Sequence, residues 1–110
     1  MVNIPYNDCI MLFPNYNEYA RSTLFDLIEQ IEHADKNTAP KINLAINLIC
    51  LRQDSKTSQT KLAAALGVNQ KNVSQWERGE VAPSLRYLIA LAQFYGVTVD
   101  RLLTPYKPNF

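Results

Sequence analysis

The chain is 110 residues long, 47% of them hydrophobic and only three of them glycine. This is enough for one compact core with an extension and too little for two ordinary domains. No apolar run approaches the roughly 18 residues that a membrane-spanning helix needs, and the N-terminus lacks the basic and apolar regions of a signal peptide. We therefore expect a cytoplasmic protein without a membrane partner.

The formal net charge of +1 conceals two segments of opposite sign. Residues 1–40 contain two basic and six acidic residues, a balance of −4, whereas residues 41–110 contain nine basic and four acidic residues, a balance of +5. Such asymmetry is typical of a polyanion-binding part joined to an acidic segment, although ordinary solvated surface charge is the alternative.

The cysteine and histidine content argues against a metal site and against catalysis. Cys9 and Cys50 have no CxxC spacing, and His33 is the single histidine, so the usual zinc ligand sets cannot be assembled. The sequence also lacks a glycine-rich phosphate loop. We expect no metal, no cofactor and no enzymatic activity, and we expect Cys50, inside an apolar stretch, to be a buried thiol.

The N-terminal segment combines an irregular arm with one amphipathic helix. Residues 1–21 are rich in Asn, Tyr and Pro and show no sustained period. Ser22 is a suitable N-cap, and a helix over 22–35 is predicted to end before Pro40. Its apolar stripe consists of Leu24, Leu27, Ile28 and Ile31.

From Lys41 onwards the pattern is helical almost to the end, with short breaks and no convincing strand. Gly67 is placed as a helix C-cap, and Asn69, Ser84 and Thr98 are placed as N-caps. The fold class is therefore all-α. The five predicted helices span approximately 42–53, 59–66, 70–77, 85–95 and 99–103.

The second and third of these helices are joined only by Gly67-Val68-Asn69, which forces the tight turn of a helix-turn-helix. On the third helix Val73 and Trp76 share one face, and Trp76 is predicted to be core rather than a stacking platform. The opposite face has no carboxylate. It offers Gln70, Lys71, Ser74, Gln75 and Arg78, side chains that pair with base edges and phosphates in DNA, although a plain solvated face is the alternative.

The stretch 41–105 resembles the Cro/CI-type, lambda-repressor-like (XRE-like) helix-turn-helix family. The resemblance is carried by Arg52, Ser58-Gln59, Leu62-Ala63, Leu66-Gly67-Val68, Val73-Ser74-Gln75-Trp76-Glu77-Arg78-Gly79, Pro83-Ser84, Leu88, Leu91-Ala92, Gly96-Val97 and Leu102-Leu103. It implies a five-helix DNA-binding domain over 41–105, with residues 1–40 as an N-terminal extension and 106–110 as a tail.

The resemblance also implies roles for individual residues. Gln70, Lys71, Ser74 and Gln75 would read bases in the major groove. Gln59, Asn69, Asn72 and Arg78 would contact the DNA backbone, although Asn72 is as well explained by a local structural role. The sequence departs from the family after Gly79, where Glu80-Val81-Ala82 replaces the usual basic side chains and weakens the expected grip on phosphate.

Arg52 lies on the apolar stripe of its helix with Ala45, Leu48 and Ile49 and therefore needs a partner. Glu77, near the core-facing Val73, is the acid that could satisfy it, and the resemblance implies the same internal ion pair. Both residues are assigned a structural role.

These features together predict a sequence-specific regulator that binds double-stranded DNA, acts as a homodimer and represses transcription. An antitoxin or anti-regulator that binds a protein and autoregulates its promoter is the alternative. The amphipathic helix of the extension either contributes to a dimer or partner interface or only covers its own domain.

Overall fold

The computed structural model describes residues 13–106, which form α-helices and no strand. This confirms the all-α fold class predicted for the chain. Cys9 and most of the predicted arm lie outside the described residues. The helices are α1 (Glu18–Glu32), α2 (Ala39–Asp54), α3 (Gln59–Leu66), α4 (Gln70–Glu77), α5 (Leu85–Tyr95) and α6 (Val99–Leu103).

The last four helices have the predicted bounds, and most of the predicted caps are present. Gly67 ends α3 with a left-handed φ of 73°. The side chains of Asn69 and Thr98 accept hydrogen bonds from the first turns of α4 and α6. Ser84 stands at the N-cap position of α5, but its side chain makes no capping hydrogen bond.

The predicted start of α1, at residue 22, lies too far along the chain. The helix begins at Glu18 rather than at Ser22, because the side chain of Asn17 accepts a hydrogen bond from the backbone N–H of Ala20 and caps the first turn. Residues 18–21 are therefore helical and not part of an irregular arm. Ala20 is fully buried one turn before Leu24, so the apolar stripe starts earlier than predicted.

The start of α2 also differs from its predicted position at residue 42. The helix begins at Ala39, and Pro40 lies in its first turn, where the missing N–H has no intrahelical partner to lose. Pro40 thus opens one helix rather than ending the previous one, which already ends at Glu32.

The core consists of two groups of buried side chains on opposite faces of α2. We call the first the extension cluster; it contains Phe13, Tyr16, Ala20, Leu24, Leu27, Ile28, Ile42, Ala45, Ile46, Ile49 and Cys50. We call the second the domain cluster; it contains Leu44, Leu48, Leu62, Ala63, Val73, Trp76, Leu91, Ala92 and Leu102. Because α2 serves both clusters, it is apolar around most of its circumference.

The buried positions agree with several sequence predictions. Trp76 is 4% exposed and belongs to the domain cluster. The Cys50 thiol is buried, and burial raises its pKa above the ordinary value. The apolar stripe of α1 packs on α2, so the chain itself covers it. Within residues 13–106, no helix is both long and apolar enough to cross a bilayer.

Candidate nucleic-acid interface

The turn between α3 and α4 is fixed by local hydrogen bonds. The N–H of Val68 donates to the carbonyl of Ala63 over 3.0 Å. Asn69 Oδ1 accepts from the Asn72 N–H at 3.0 Å, and Asn72 Oδ1 accepts from the Asn69 N–H at 3.3 Å. This reciprocal capping box sets the direction in which α4 leaves the turn. Asn69 and Asn72 therefore stabilise the turn, in addition to the contact with the DNA backbone that is predicted for them.

The two faces of α4 have different surroundings. Val73 is fully buried and anchors the inner face together with Trp76. On the outer face Gln70 and Lys71 are exposed, and Ser74 and Gln75 are partly exposed. The four predicted base-reading side chains therefore share the accessible side of a helix whose other side is held in the core.

Gln59, at the first position of α3, connects this face to the interior. Gln70 Nε2 donates to Gln59 Oε1 at 2.5 Å. Gln59 Nε2 in turn donates to Glu77 Oε1 at 2.9 Å and to the Tyr19 hydroxyl at 3.0 Å. Three hydrogen bonds thus hold the amide that is predicted to contact a phosphate.

Arg52 and Glu77 form a buried, bidentate ion pair beneath this amide. Arg52 Nε lies 2.5 Å from Glu77 Oε2, Arg52 Nη2 lies 3.0 Å from Glu77 Oε1, and the Glu77 side chain is 0% exposed. Arg52 Nη1 also donates to the carbonyl of Thr57 at 2.9 Å. Burial alone would lower the pKa of Arg52, but the hydrogen bonds and charge of Glu77 outweigh it, so the pKa is raised.

Arg78, predicted to approach the DNA backbone, is exposed and paired with the residue that departs from the family pattern. Its Nη2 lies 3.1 Å from Glu80 Oε1. The carboxylate partly offsets the positive charge that Arg78 would bring to a phosphate, which gives a physical basis for the weaker grip expected after Gly79.

Sequence reasoning missed the contribution of Tyr19. Its hydroxyl contacts Gln59 and Glu77, which lie 40 and 58 residues further along the chain. Tyr19 borders an open cleft of about 570 Å³ between the extension and the domain. The cleft is lined by Asn15, Asn17, Tyr19, Arg52, Gln53, Lys56, Thr57, Ser58, Gln59, Thr60 and Gln70. The Asn/Tyr-rich run was visible in the sequence, but no periodicity linked it to α3.

Residues 51–102 match the sequence model of the family described as Helix-turn-helix. The chain is also 35% identical over 54 residues to the HTH-type transcriptional activator BcrR of Enterococcus faecalis. That alignment covers 49% of this chain, which spans only about a quarter (26%) of the length of that relative. No solved structure matches the chain.

Proposed function

The chain belongs, through residues 51–102, to the helix-turn-helix family of DNA-binding transcription regulators, and from this premise we propose that it binds a specific operator in double-stranded DNA. In the proposed complex α4 lies in the major groove. Gln70, Lys71, Ser74 and Gln75 read base edges, and Gln59, Asn69, Asn72 and Arg78 contact the backbone. Binding to chromosomal DNA would place the protein in the cytoplasm.

The observation that carries this proposal is the composition of the accessible face of α4. Glutamine can pair bidentately with adenine, lysine pairs with guanine, and serine can form a hydrogen bond with either base. The one carboxylate in α4, that of Glu77, is fully buried and neutralised by Arg52. The outer face therefore presents donors and acceptors to DNA without a repelling charge.

We further propose that two copies bind an inverted repeat. A single domain with a charge balance of +5 over residues 41–110 has few cations with which to hold DNA. Leu85 and Ile89 lie one turn apart on α5 and are 69% and 43% exposed. An apolar patch is complementary to itself across a two-fold axis, so we assign it to the contact between copies.

A dimer bound to promoter DNA excludes polymerase without any further domain, which favours repression. The relative in Enterococcus faecalis, by contrast, is described as an activator.

The primary experiment is selection of random-sequence duplexes by the purified protein at two salt concentrations. We expect an enriched inverted repeat with half-sites about 10 base pairs apart, centre to centre. Gln75→Ala should relax preference at one base pair of each half-site, with a loss of about 1–3 kcal/mol in discrimination. Gln93→Ala, an exposed glutamine on α5, is the matched control and should keep the operator unchanged.

Two further measurements test the finer parts of the proposal. Leu85→Glu should convert a dimer to a monomer in sedimentation equilibrium while the monomer stays folded. A reporter promoter overlapping the operator should lose expression when the protein is present. Retention of DNA without sequence enrichment would refute operator recognition, an unchanged mass for Leu85→Glu would refute this interface, and increased expression would refute repression.

A further inference from the structure

The Tyr19 hydroxyl belongs to the extension but stands next to the side chains proposed to bind DNA. It continues a row of hydrogen-bonded polar groups that begins at Gln70 and passes through Gln59. Tyr19 is 37% exposed, which sets it apart from the buried hydrophobic side chains of α1 such as Leu24 and Leu27. The proposed function uses Gln70 and Gln59 and leaves this third member of the row without a role.

The hydrogen bonds of the row show which group is free to change its partner. The Tyr19 oxygen accepts from Gln59 Nε2 at 3.0 Å, and its proton is directed to Glu77 Oε1 over a long 3.4 Å. Glu77 Oε1 also accepts from Arg52 Nη2 at 3.0 Å and from Gln59 Nε2 at 2.9 Å. The carboxylate therefore stays satisfied when Tyr19 turns its proton elsewhere.

We propose that the Tyr19 hydroxyl donates to a DNA phosphate, so that the N-terminal extension forms part of the DNA interface. The inference rests on the proposed function, because the phosphate is that of the operator bound by α3 and α4. In the complex Tyr19 would keep its bond from Gln59 and exchange the long contact to Glu77 for a shorter, charge-assisted one to the phosphate. Because Tyr19 and Glu77 then occupy both Nε2 protons of Gln59, Gln59 would contact its own phosphate through its backbone N–H in the first turn of α3.

The charge of the cleft beside Tyr19 favours a phosphate there. The extension as a whole is acidic, yet none of the residues that line the cleft is Asp or Glu. Lys56 contributes positive charge, the charge of Arg52 is balanced by Glu77, and the remaining lining groups are neutral amides and hydroxyls, including those of Asn15 and Asn17. Burial raises the pKa of Tyr19, and the charge of Glu77 raises it further, so the hydroxyl keeps the proton that it would donate.

The position of Tyr19 is fixed by contacts of Tyr16 and Asn17, which precede it in the chain. The Tyr16 hydroxyl donates to Asp54 Oδ1 at 2.6 Å, and its oxygen also lies 3.2 Å from the Cys50 carbonyl oxygen. The backbone N–H of Asn17 donates to Gln53 Oε1 at 3.4 Å. These bonds fasten the start of α1 to the end of α2 that lies next to α3, so the hydroxyl is presented without a large ordering cost.

The test compares the wild-type protein with Tyr19→Phe and Tyr106→Phe on the selected operator. We expect Tyr19→Phe to bind about 10- to 150-fold more weakly, as for one lost hydrogen bond to a charged group. The slope of log affinity against log salt should stay unchanged because tyrosine carries no charge. Tyr106→Phe also removes a tyrosine hydroxyl, but from a ring that packs on Phe13 and does not line the cleft, and it should bind as the wild type does.

A scan with single methylphosphonate substitutions distinguishes a direct contact from an effect through Gln59. One phosphate in each half-site should matter to the wild type and no longer matter to Tyr19→Phe. Wild-type affinity in Tyr19→Phe, an equal loss in Tyr106→Phe, or the same phosphate profile in the wild type and in Tyr19→Phe would overturn this inference and leave the proposed function standing. Failure of the wild type to select any operator would overturn the proposed function and this inference together.

Discussion

The extension cluster and the domain cluster share α2 but are built differently. On one face of α2, Ile42, Ala45, Ile46 and Ile49 pack mainly against the single helix α1. On the other face, Leu44 and Leu48 meet side chains from four short helices. A helix buried from two sides needs both covers, so the extension is part of the core and not an appendage to the DNA-binding domain.

The largest effect should come from the ion pair where the two regions meet. Arg52→Leu leaves the fully buried Glu77 carboxylate without its counter-charge, and we expect a loss of about 3–5 kcal/mol in the free energy of unfolding. Thermal unfolding followed by circular dichroism measures this loss, which should appear well before any change in operator preference.

Arg78→Leu is the matched control for the buried pair. It breaks the exposed contact to Glu80, and exposed ion pairs contribute about 0–1 kcal/mol. An Arg52→Leu protein as stable as Arg78→Leu would mean that Glu77 finds other compensation, and it would remove the structural role assigned to Arg52.

The next effect tests whether the two clusters unfold together. Leu24→Ala in the extension cluster and Leu62→Ala in the domain cluster each empty a fully buried site, and each should cost about 2–5 kcal/mol. Because α2 carries both clusters, both variants should show one cooperative urea transition, moved to lower urea, by circular dichroism and by Trp76 fluorescence. A transition for Leu24→Ala in which Trp76 fluorescence does not follow helix loss would separate the clusters.

These two regions also mark what could be predicted from the sequence. In the domain the helix ends are set by local interactions. Gly67, Asn69 and Thr98 are caps that act within four residues of their own position, so the predicted bounds of α3 to α6 were correct. The predicted start of α1 was wrong because Asn17 and Ser22 are both suitable N-cap residues. Burial of Ala20 against α2 decided between them, and this is a tertiary contact.

The same limit applies to the candidate site. The residues on the outer face of α4 followed from helical spacing and family resemblance. Tyr19 did not, because only the packing of α1 on α2 brings it to Gln59. Buried Asn47 was likewise unforeseen; its Nδ2 donates to the carbonyls of Leu102 and Thr104 at the end of α6.

A smaller effect should come from Gly79, which follows α4 and lies against α1 and α2 at the extension cluster. Its φ is 71°, and a Cβ there would lie 3.2 Å from Leu27 Cδ2 and 3.3 Å from Ile42 Cδ1. Gly79→Ala should cost about 1–3 kcal/mol through the left-handed backbone and the tight contact with the extension.

Gly96→Ala isolates the backbone part of that cost. Gly96 has a φ of 66°, but a Cβ there would meet nothing within 4 Å. The difference in unfolding free energy between the two variants therefore measures the packing of α1 and α2 around the end of α4. Equal losses in the two proteins would show that Leu27 and Ile42 move aside freely.

The smallest effect concerns Asp35, in the connection between the extension helix and α2. Its Oδ1 accepts from the Thr38 hydroxyl and from the N–H groups of Thr38 and Asn37, each at 2.9 Å, and these bonds lower its pKa below the usual 3.8. A lowered folded-state pKa stabilises the fold above pH 3.8 and loses that effect as the pH falls through the folded value. Asp35→Ala should therefore melt slightly below the wild type at pH 7, and this difference in melting temperature should shrink below pH 3.8.

Asp35→Asn keeps an acceptor oxygen without the ionisation, so it should reduce the pH dependence while preserving part of the stability. A gap between wild type and Asp35→Ala that stayed constant from pH 7 to pH 3 would show that the carboxylate charge does not help to hold this connection.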